Sequence, residues 1–402
     1  MSDQAHSHAI RRRFALADDV LFLNHGSFGA CPREVLALQS ELRERLEREP
    51  VQFMLKERPR LLDEARVKVA AFVGAAPEDL AFVPNATSGV NAVLRSLRFE
   101  PGDEILVTDH GYHACSNAAR FVAERAGARV VTVKLPFPLI SAEEVILAIH
   151  GAVTERTRVA LLDHVTSPTG LVMPLDRLVA GLEARGVMTL VDGAHGPGML
   201  ELDLPKLGAS FYTGNLHKWC CAPKGAALLW LRPDMAEAVH APIISHGFDS
   251  TRARPRLWEE FDWMGTADPT AWLCAPAALD ALAAMAPGGW PELHEANRAL
   301  ALEARDMLCD ALEVEAPAPD GMLGSLAAVP LPEAPEARAG HFELSPLATA
   351  LYERHRIDVP IVPWPGAGHR LVRVSAHVYN RREEYQALAK ALLEELARES
   401  KG

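Results

Sequence analysis

Short apolar runs alternate with helix-length segments over residues 80–231. Seven runs rich in β-branched and other apolar residues are separated, in most cases, by stretches long enough for a helix. Apolar strands interleaved with helices are typical of a largely parallel sheet covered on both faces. The pattern therefore predicts an α/β fold, with strands at residues 80–84, 104–108, 129–135, 158–163, 187–192, 209–213 and 226–231.

Helical patterns flank this predicted sheet on both sides. We expect an amphipathic helix between Pro32 and Pro50, and a helical segment over 269–285. From about Gly288 onward the character changes, because helices such as 383–400 mix with short strands such as 324–330 and 370–376. We therefore divide the chain into an N-terminal segment (1–30), a large domain (31–287) and a smaller C-terminal α+β domain (288–402).

The composition excludes some classes of function. The 402 residues are 49% apolar and 23% charged, with a formal net charge of −12. An acidic chain argues against a general nucleic-acid binder, since neutralising phosphates needs a basic face. We find no secretory-type apolar segment and no apolar run of membrane-spanning length, so we expect a cytoplasmic protein that does not enter a membrane. Six scattered cysteines without a C-x-x-C spacing are expected to stay reduced.

Polar residues directly follow several of the predicted strands. Ligands of an open α/β sheet bind at the carboxyl ends of its strands, so these residues are the first candidates for a site. The first strand is followed by Asn85 and then by a helix start, whose N–H groups and hydroxyls can bind an anion or a phosphate. The polar residues after the other strands are Asp109 and Tyr112, His164 and Ser167, and Asp192 and His195.

Lys218 lies in the segment "NLHKW", beside apolar Leu216 and Trp219. These neighbours predict a partly buried amine, and burial lowers the pKa of a lysine towards nucleophilic use. Two interpretations of Asp192 are open. It is either a helix N-cap or a carboxylate that holds the cationic nitrogen of a heterocycle.

The adjacent Cys220 and Cys221 are expected to pack in the interior. Alternate side chains of an extended segment point in opposite directions, so at most one of the two thiols can face a site. Two adjacent thiolates without a nearby Cys/His partner set also lack the usual ligand spacing, so we expect no metal.

The motifs together resemble the class V aminotransferase family of pyridoxal 5'-phosphate (PLP) enzymes. They are a strand followed by Asp-Gly-Ala-His (192–195), His217-Lys218 about 25 residues later, and an upstream Ala-Thr-Ser-Gly helix start. The resemblance spans about residues 21–380. It implies the fold-type I architecture of PLP-dependent transferases, with a mostly parallel seven-stranded sheet in the large PLP-binding domain, and PLP as cofactor.

Three further segments resemble the isopenicillin N epimerase-like branch of that family. They are "LNHGSFGACP" (23–32), "DHGYHA" (109–114) and "TSPTGLVMP" (166–174). The branch also contains carbon–sulfur lyases and aminotransferases.

The resemblance implies roles for the matching positions. Lys218 would form the Schiff base with the cofactor and move the Cα proton, and Asp192 would pair with the protonated pyridine nitrogen. Tyr112 would stack over the ring, and His195 with Ser167 would lie near its phenolic oxygen. The phosphate would be bound by Ala86, Thr87, Ser88, Asn215 and His217.

Four more positions are expected to complete the site. Thr266, in "WMGTADP", matches a hydroxyl given to the phosphate by the partner subunit, which implies a homodimer with a composite active site. Arg373 would bind the α-carboxylate of the substrate, which a planar guanidinium can engage bidentately. Asn24 and His25 would reach the substrate from the N-terminal segment.

The expected reaction acts on an amino acid or an amino-acid-derived small molecule, through an external aldimine and Cα deprotonation. Epimerisation is the first hypothesis, with Tyr112 or His25 as candidates for the second proton donor. A carbon–sulfur β-lyase acting on a cysteine-derived substrate and an aminotransferase are the alternatives. Residues 359–373 contain no cysteine, which argues against persulfide chemistry. A silent PLP-binding regulator is disfavoured, because the acidic chain has no basic DNA-binding domain before Leu21.

Overall fold

The computed structural model describes residues 9–334, 343–366 and 368–401. Residues 1–8 of the predicted N-terminal segment and residue 402 of the predicted C-terminal domain lie outside the described part of the chain. Within it the strands are β1 (Leu21–Phe22), β2 (Leu80–Val83), β3 (Glu104–Thr108), β4 (Arg129–Val133), β5 (Thr157–Asp163), β6 (Met188–Asp192), β7 (Phe211–Asn215), β8 (Ala227–Leu231), β9 (Leu326–Leu331), β10 (Ile357–Asp358), β11 (Ile361–Pro363) and β12 (Arg370–Ser375).

The α-helices lie between and after these strands. In the same described ranges they are α1 (His25–Phe28), α2 (Arg33–Arg48), α3 (Pro50–Gln52), α4 (Arg58–Phe72), α5 (Ala86–Ser96), α6 (His113–Ala126), α7 (Ala142–Gly151), α8 (Leu175–Glu183), α9 (Leu204–Leu207), α10 (Arg256–Phe261), α11 (Thr270–Leu273), α12 (Ala275–Ala283), α13 (Gly289–Leu312), α14 (Pro346–His355) and α15 (Arg382–Glu399). One π-helical turn (Phe53–Glu57) joins α3 to α4.

Seven strands form the central sheet, in the order β2-β8-β7-β6-β5-β3-β4. The five strands β3 to β7 pair in parallel, whereas β8 is antiparallel to both of its neighbours. The apolar side chains of α4, α7 and α8 pack on one face of the sheet, and those of α5, α6 and α10 pack on the other. The mostly parallel α/β fold predicted from the alternation is therefore confirmed.

The register of the parallel strands brings three polar side chains side by side. Asp163 at the end of β5 lies opposite Asp192 at the end of β6, and Asp192 lies opposite Thr213 in β7. All three side chains are buried. The carboxyl edge of the sheet thus carries a buried row of polar groups, where an open α/β sheet binds its ligand.

The C-terminal region forms a second, smaller sheet of three antiparallel strands in the order β11-β12-β9. The N-terminal segment joins this region, because β1 pairs in parallel with β10. From β1 the chain continues through α1 towards the central sheet. Gly29 follows at φ +72°, and an added Cβ there would lie 2.2 Å from the carbonyl oxygen of His217, so only glycine fits.

Two helices differ from their sequence-based bounds. The segment expected over 269–285 is divided into α11 and α12 at Cys274, because Pro276 lacks the N–H that would continue the first helix. The helix expected between Pro32 and Pro50 ends at Arg48, and a short α-helix and a π-helical turn then lead directly into α4. Among the described residues, no helix has both the length and the hydropathy that a bilayer crossing needs.

Candidate active site

Lys218 lies in the loop that follows β7, at the carboxyl edge of the central sheet. The loop is tied to the start of β8, since the backbone N–H groups of Leu216 and His217 both donate to the Ala226 carbonyl. Lys218 Nζ lies 3.2 Å from His195 Nε2, and no carboxylate of the described residues forms an ion pair with it. Burial, together with the nearby Arg373 cation, lowers the pKa of Lys218 to about 8.

Asp192 lies behind this amine and is held by two donors. Its Oδ1 accepts a hydrogen bond from the Ala194 N–H and its Oδ2 accepts one from the Cys115 thiol, both at 3.0 Å. Burial raises the pKa of Asp192, and that of its neighbour Asp163 more strongly, because Asp163 also faces the charge of Asp192. A cation placed against Asp192 would offset this desolvation.

Arg373, in β12 of the small sheet, reaches the same place from the opposite side. Its Nη1 donates to the Ser167 carbonyl, and its Nη2 donates to Ser27 Oγ at 3.2 Å. Its buried Nε has no hydrogen-bond partner among the described residues, and no described carboxylate pairs with the guanidinium. Burial lowers the pKa of Arg373 to about 10. A buried cation without a carboxylate partner is a binding site for an anion.

Asn24 lies one hydrogen bond away from this guanidinium. Its Oδ1 accepts from Ser27 Oγ, which in turn accepts from Arg373, and its Nδ2 donates to Asp358 Oδ1 at 3.0 Å. The structure therefore brings Asn24 beside Arg373, with Ser27 as the direct contact.

His25 is placed differently from Asn24. Its ring is fully buried and lies behind the Lys218 backbone, with Nδ1 2.6 Å from the Tyr379 hydroxyl and Nε2 3.1 Å from the Lys218 carbonyl oxygen. Both ring nitrogens of His25 are thus occupied by protein groups.

The start of α5 forms a polar cradle near Lys218. The Ala86 N–H donates to Asn215 Oδ1 at 2.8 Å, and the N-cap Asn85 accepts from the Ser88 N–H at 2.9 Å. The helix approaches β7 so closely at Gly89 that an added Cβ would lie 2.2 Å from Thr213 Oγ1. The first turn of α5, with its hydroxyls and its positive dipole end, is thereby fixed beside the sheet edge.

His217 and Tyr112 border the cradle. His217 Nδ1 lies 2.8 Å from the Ala226 carbonyl, and burial lowers the pKa of its ring to about 4. Tyr112 precedes α6 and is 40% exposed. Burial raises the pKa of Tyr112, while the nearby Arg373 cation lowers it.

Thr266 is the predicted site residue that the structure does not bring to this cluster. It is exposed, in the segment between α10 and α11, and no hydrogen bond joins it to the site within the described chain. The other predicted residues lie at the carboxyl edge of the central sheet or on the N-terminal and C-terminal segments that cover it.

These side chains fit PLP. A pyridinium nitrogen needs a buried carboxylate, which Asp192 provides, and an aldehyde needs an uncharged amine, which burial favours at Lys218. A phosphate needs a helix start with hydroxyls, and α5 provides one. Asp192 and the start of α5 lie close together, because the Cys115 thiol that donates to Asp192 also lies within hydrogen-bonding reach of the Thr87 side chain.

A second polar cluster lies on the other side of the Lys218 backbone. Cys221 Sγ lies 3.6 Å from His377 Nε2 and 3.9 Å from His25 Nε2, and all three side chains are buried. The two imidazole rings stack at 4.0 Å with planes only 20° apart. Their in-plane lone pairs therefore run side by side and do not converge on one point, which does not suit a tetrahedral metal. We interpret this group as a hydrogen-bonded core cluster.

Three contacts at the site involve residues that the sequence did not single out. They are Ser27 against Arg373, Cys115 against Asp192, and Trp219, whose indole N–H donates to His195 Nδ1 at 3.1 Å. Cys115 lies about one helical turn after Tyr112. The helical period therefore indicates that the Cys115 side chain faces the same side of α6 as Tyr112. The sequence carries no comparable signal for Ser27.

Comparison with known proteins identifies the family. The model of the aminotransferase class V family matches residues 47–388. The chain is 36% identical to the isopenicillin N epimerase of Amycolatopsis lactamdurans over 400 residues, which cover 96% of this chain and 97% of that protein. It is 32% identical to a probable chloroplastic L-cysteine desulfhydrase of Arabidopsis thaliana, over 93% of this chain and 82% of that protein.

Solved structures share the fold. A mutant of the cystine C–S lyase C-DES, with glycine covalently linked to its PLP cofactor, superposes with a TM-score of 0.78 at 22% identity and covers 95% of this chain and 98% of its own. The cysteine desulfurase CsdA from Escherichia coli gives a TM-score of 0.75 at 23% identity, over 97% and 98%. The chain belongs to the class V aminotransferase family, and it is a PLP-dependent enzyme of the fold-type I architecture that its sequence predicts.

Proposed function

We propose that this enzyme removes the Cα proton of an amino acid or an amino-acid-derived substrate and returns a proton to the opposite face, as an epimerase. The observation that carries the proposal is a pair of buried basic groups without carboxylate partners among the described residues. Lys218 supplies an amine whose pKa is lowered to about 8, and Arg373 supplies a guanidinium open to a carboxylate. An amino acid with its α-carboxylate on Arg373 brings its Cα hydrogen to the edge where Lys218 lies.

Each group of the chain has a distinct task in this proposal. PLP, when bound, supplies an electron sink that stabilises negative charge at Cα. Lys218 accepts the Cα proton, which requires its uncharged form. Asp192 would hold the protonated pyridine nitrogen, and Arg373 would orient the substrate by binding its carboxylate, which a guanidinium can engage bidentately. His195 and Ser167 border the ring, since His195 contacts Lys218 and Ser167 contacts Arg373.

The phosphate contacts of the proposal are the first turn of α5 and the Lys218 loop. Ala86, Thr87 and Ser88 offer backbone N–H groups and hydroxyls, and Asn215 holds the helix start in place. If His217 Nδ1 donates to the Ala226 carbonyl, its Nε2 can donate to a phosphate only when the ring carries a second proton, which a bound dianion would favour.

Epimerisation also needs a proton donor on the face opposite Lys218. Of the two candidates, His25 has both ring nitrogens engaged by Tyr379 and the Lys218 carbonyl. Tyr112 is partly exposed and its raised pKa keeps the phenol protonated at neutral pH. We therefore assign the second proton transfer to Tyr112, and we assign His25 to the support of the Lys218 backbone.

The second candidate function is carbon–sulfur β-elimination, because the desulfhydrase relative is nearly as similar as the epimerase relatives. The same Cα deprotonation precedes both reactions, and they differ in whether the β-substituent leaves. Transamination is the third candidate, and it would begin with the same removal of the Cα proton by Lys218.

We further propose a homodimer in the cytoplasm. Exposed apolar side chains support a surface that a second subunit covers. They lie in α1 and in the loop that follows β8, and they include Phe28, Ile243, Ile244 and Phe248. Thr266, exposed in a single chain, would reach the phosphate of the partner subunit. The six cysteines are all free, which is consistent with a reducing compartment.

The test combines two measurements. The visible absorption of bound PLP should be lost or displaced in Lys218→Ala and retained in the neighbouring control Lys224→Ala. The wild-type enzyme is then incubated with single enantiomers of amino acids in heavy water, and Cα exchange, enantiomer ratio, keto acid and pyruvate are followed. Inversion without keto acid supports the epimerase, whereas pyruvate with sulfide supports the lyase. Normal Cα exchange in Lys218→Ala would refute the assigned base.

A further inference from the structure

Trp219 directly follows Lys218 in the chain, and its side chain returns to the same site through His195. The indole is fully buried, and its Nε1 donates to His195 Nδ1 at 3.1 Å. The other ring nitrogen, His195 Nε2, lies 3.2 Å from Lys218 Nζ. Indole, imidazole and amine therefore form one continuous series of hydrogen bonds that ends at the reactive nitrogen.

Only one arrangement of protons satisfies both hydrogen bonds. The indole N–H is a donor only, so His195 Nδ1 has to accept. His195 is neutral, because burial lowers its pKa well below the ordinary value, and its one ring proton is therefore on Nε2. The Nε2–H then donates to Lys218 Nζ, and a lysine nitrogen can accept a hydrogen bond only when it is uncharged.

We propose that Trp219 is a positioning residue that fixes His195 as the Nε2–H tautomer and thereby keeps Lys218 as a free amine. A protonated Lys218 would have three donors and no acceptor, and it would face the N–H of His195. Without the indole N–H, His195 can move its proton to Nδ1, so that Nε2 accepts a hydrogen bond from an ammonium group. The indole thus disfavours the charged state of Lys218 without touching the amine.

Other groups near Lys218 and His195 do not replace this effect. Arg373 favours the uncharged amine, Asp192 and Cys115 favour the ammonium form, and His25 faces the His195 ring. They act on Lys218 or on the ring as a whole through distance-dependent electrostatics. Of these contacts, the indole hydrogen bond is the one that distinguishes the two nitrogens of His195.

The inference rests on the proposed role of Lys218, and the experiment separates the two. The PLP-free protein is exposed briefly to PLP at a series of pH values and reduced with borohydride, and labelled Lys218 is quantified by peptide mass spectrometry. The proteins are wild type, Trp219→Phe and the control Trp272→Phe. Trp272 is also buried and its indole N–H donates at 3.0 Å, but to the Val83 carbonyl and not to His195.

The expected half-maximal labelling is near pH 8 in the wild type and in Trp272→Phe, as the pKa of Lys218 indicates. In Trp219→Phe it should move upward by roughly one pH unit, the equivalent of one hydrogen bond. An unchanged midpoint in Trp219→Phe, or the same shift in Trp272→Phe, overturns the inference. Absence of label on Lys218 in every protein would instead overturn the proposed function.

A second measurement observes the tautomer of His195 directly in the wild-type protein. Nitrogen NMR of ¹⁵N-histidine-labelled wild type, with His195→Gln used to assign the signal, distinguishes a protonated from an unprotonated ring nitrogen. In the PLP-free protein above pH 8, where Lys218 is uncharged, we expect a protonated Nε2 and an unprotonated Nδ1. A protonated Nδ1 would be incompatible with the indole hydrogen bond and would overturn the inference.

Discussion

Two buried arginines of this enzyme have opposite surroundings. Arg66, in α4, is fully buried, donates to Asp63 and Asp262, and stacks on the ring of Trp258. Arg373 is also buried, yet it donates only to a carbonyl and to hydroxyls. Each leaves its Nε without a partner, so the difference lies in the carboxylates.

The difference separates structural charges from functional ones. A buried charge with a partner helps to specify the fold, whereas a buried charge without one reduces stability until a ligand supplies the partner. Lys218 belongs with Arg373 in this respect, since no described carboxylate pairs with it either. The site therefore carries two basic groups whose charged forms are disfavoured by burial in the free enzyme.

The largest expected effect is on stability, at Arg66. Arg66→Met should lower the free energy of unfolding by about 3 kcal/mol, because buried Asp262 would lose one of its two arginine partners and keep only Arg254. Denaturant unfolding of the PLP-free protein measures this. The double variant Arg66→Met/Asp262→Leu should recover part of the loss, and an absence of any recovery would contradict the ion-pair explanation.

Arg373→Met should have the opposite profile. We expect kcat/KM to fall by about 100-fold or more, corresponding to roughly 3 kcal/mol, because the substrate carboxylate loses a buried partner. The free energy of unfolding should stay the same or rise, since an unpaired buried charge is removed. A loss of stability as large as that of Arg66→Met would contradict the distinction between the two arginines.

Lys218→Met should stabilise the PLP-free protein in a pH-dependent way. Folding lowers the pKa of Lys218 from 10.5 to about 8, so between these values the unfolded chain binds one more proton and wild-type stability rises with pH. The variant should therefore gain about 1–3 kcal/mol at pH 7, and the gain should disappear as the pH rises towards 10.5. Unfolding curves at several pH values test this, and a gain that grows with pH would contradict it.

The smallest effect is expected at Cys115. Removing the thiol in Cys115→Ala takes one donor from Asp192, which changes the carboxylate that would receive the pyridinium nitrogen. The dissociation constant of PLP should rise about fivefold, or roughly 1 kcal/mol. Cys274→Ala, another buried cysteine away from the site, is the control, and equal effects in both would indicate a packing defect.

The sequence predicts the scaffold of this site well, for physical reasons. Parallel strands buried on both faces need apolar runs, so the seven strands of the sheet are visible as such. The residues after those strands then share one edge, which brings Asp192, His195 and Lys218 together. The apolar pattern of residues 269–285 does not show that this segment is two helices. The break becomes apparent only in the structure, where α11 ends and α12 begins just before Pro276.

The contacts across the site join residues that are far apart in the sequence, so patterns of apolar and polar positions cannot predict them. Arg373 meets Ser167 and Ser27, which lie 206 and 346 residues away in sequence. His25 and Cys221 lie near each other for the same reason, 196 residues apart. No local period encodes such distances, so the burial of His25 behind Lys218 and the tautomer imposed by Trp219 become visible only in three dimensions. The division into domains at residues 30 and 287 stays a prediction.

The position of β1 also has a consequence for biosynthesis. The N-terminal segment pairs with β10 at Ile357, and the site receives Arg373 from β12, so its first and last parts are separated by most of the chain. A ribosome synthesises Lys218 before β10 and β12, so neither the pairing partner of β1 nor the guanidinium of Arg373 is present when this lysine is made. Cofactor capture in the final geometry therefore has to wait until almost the whole polypeptide has been released.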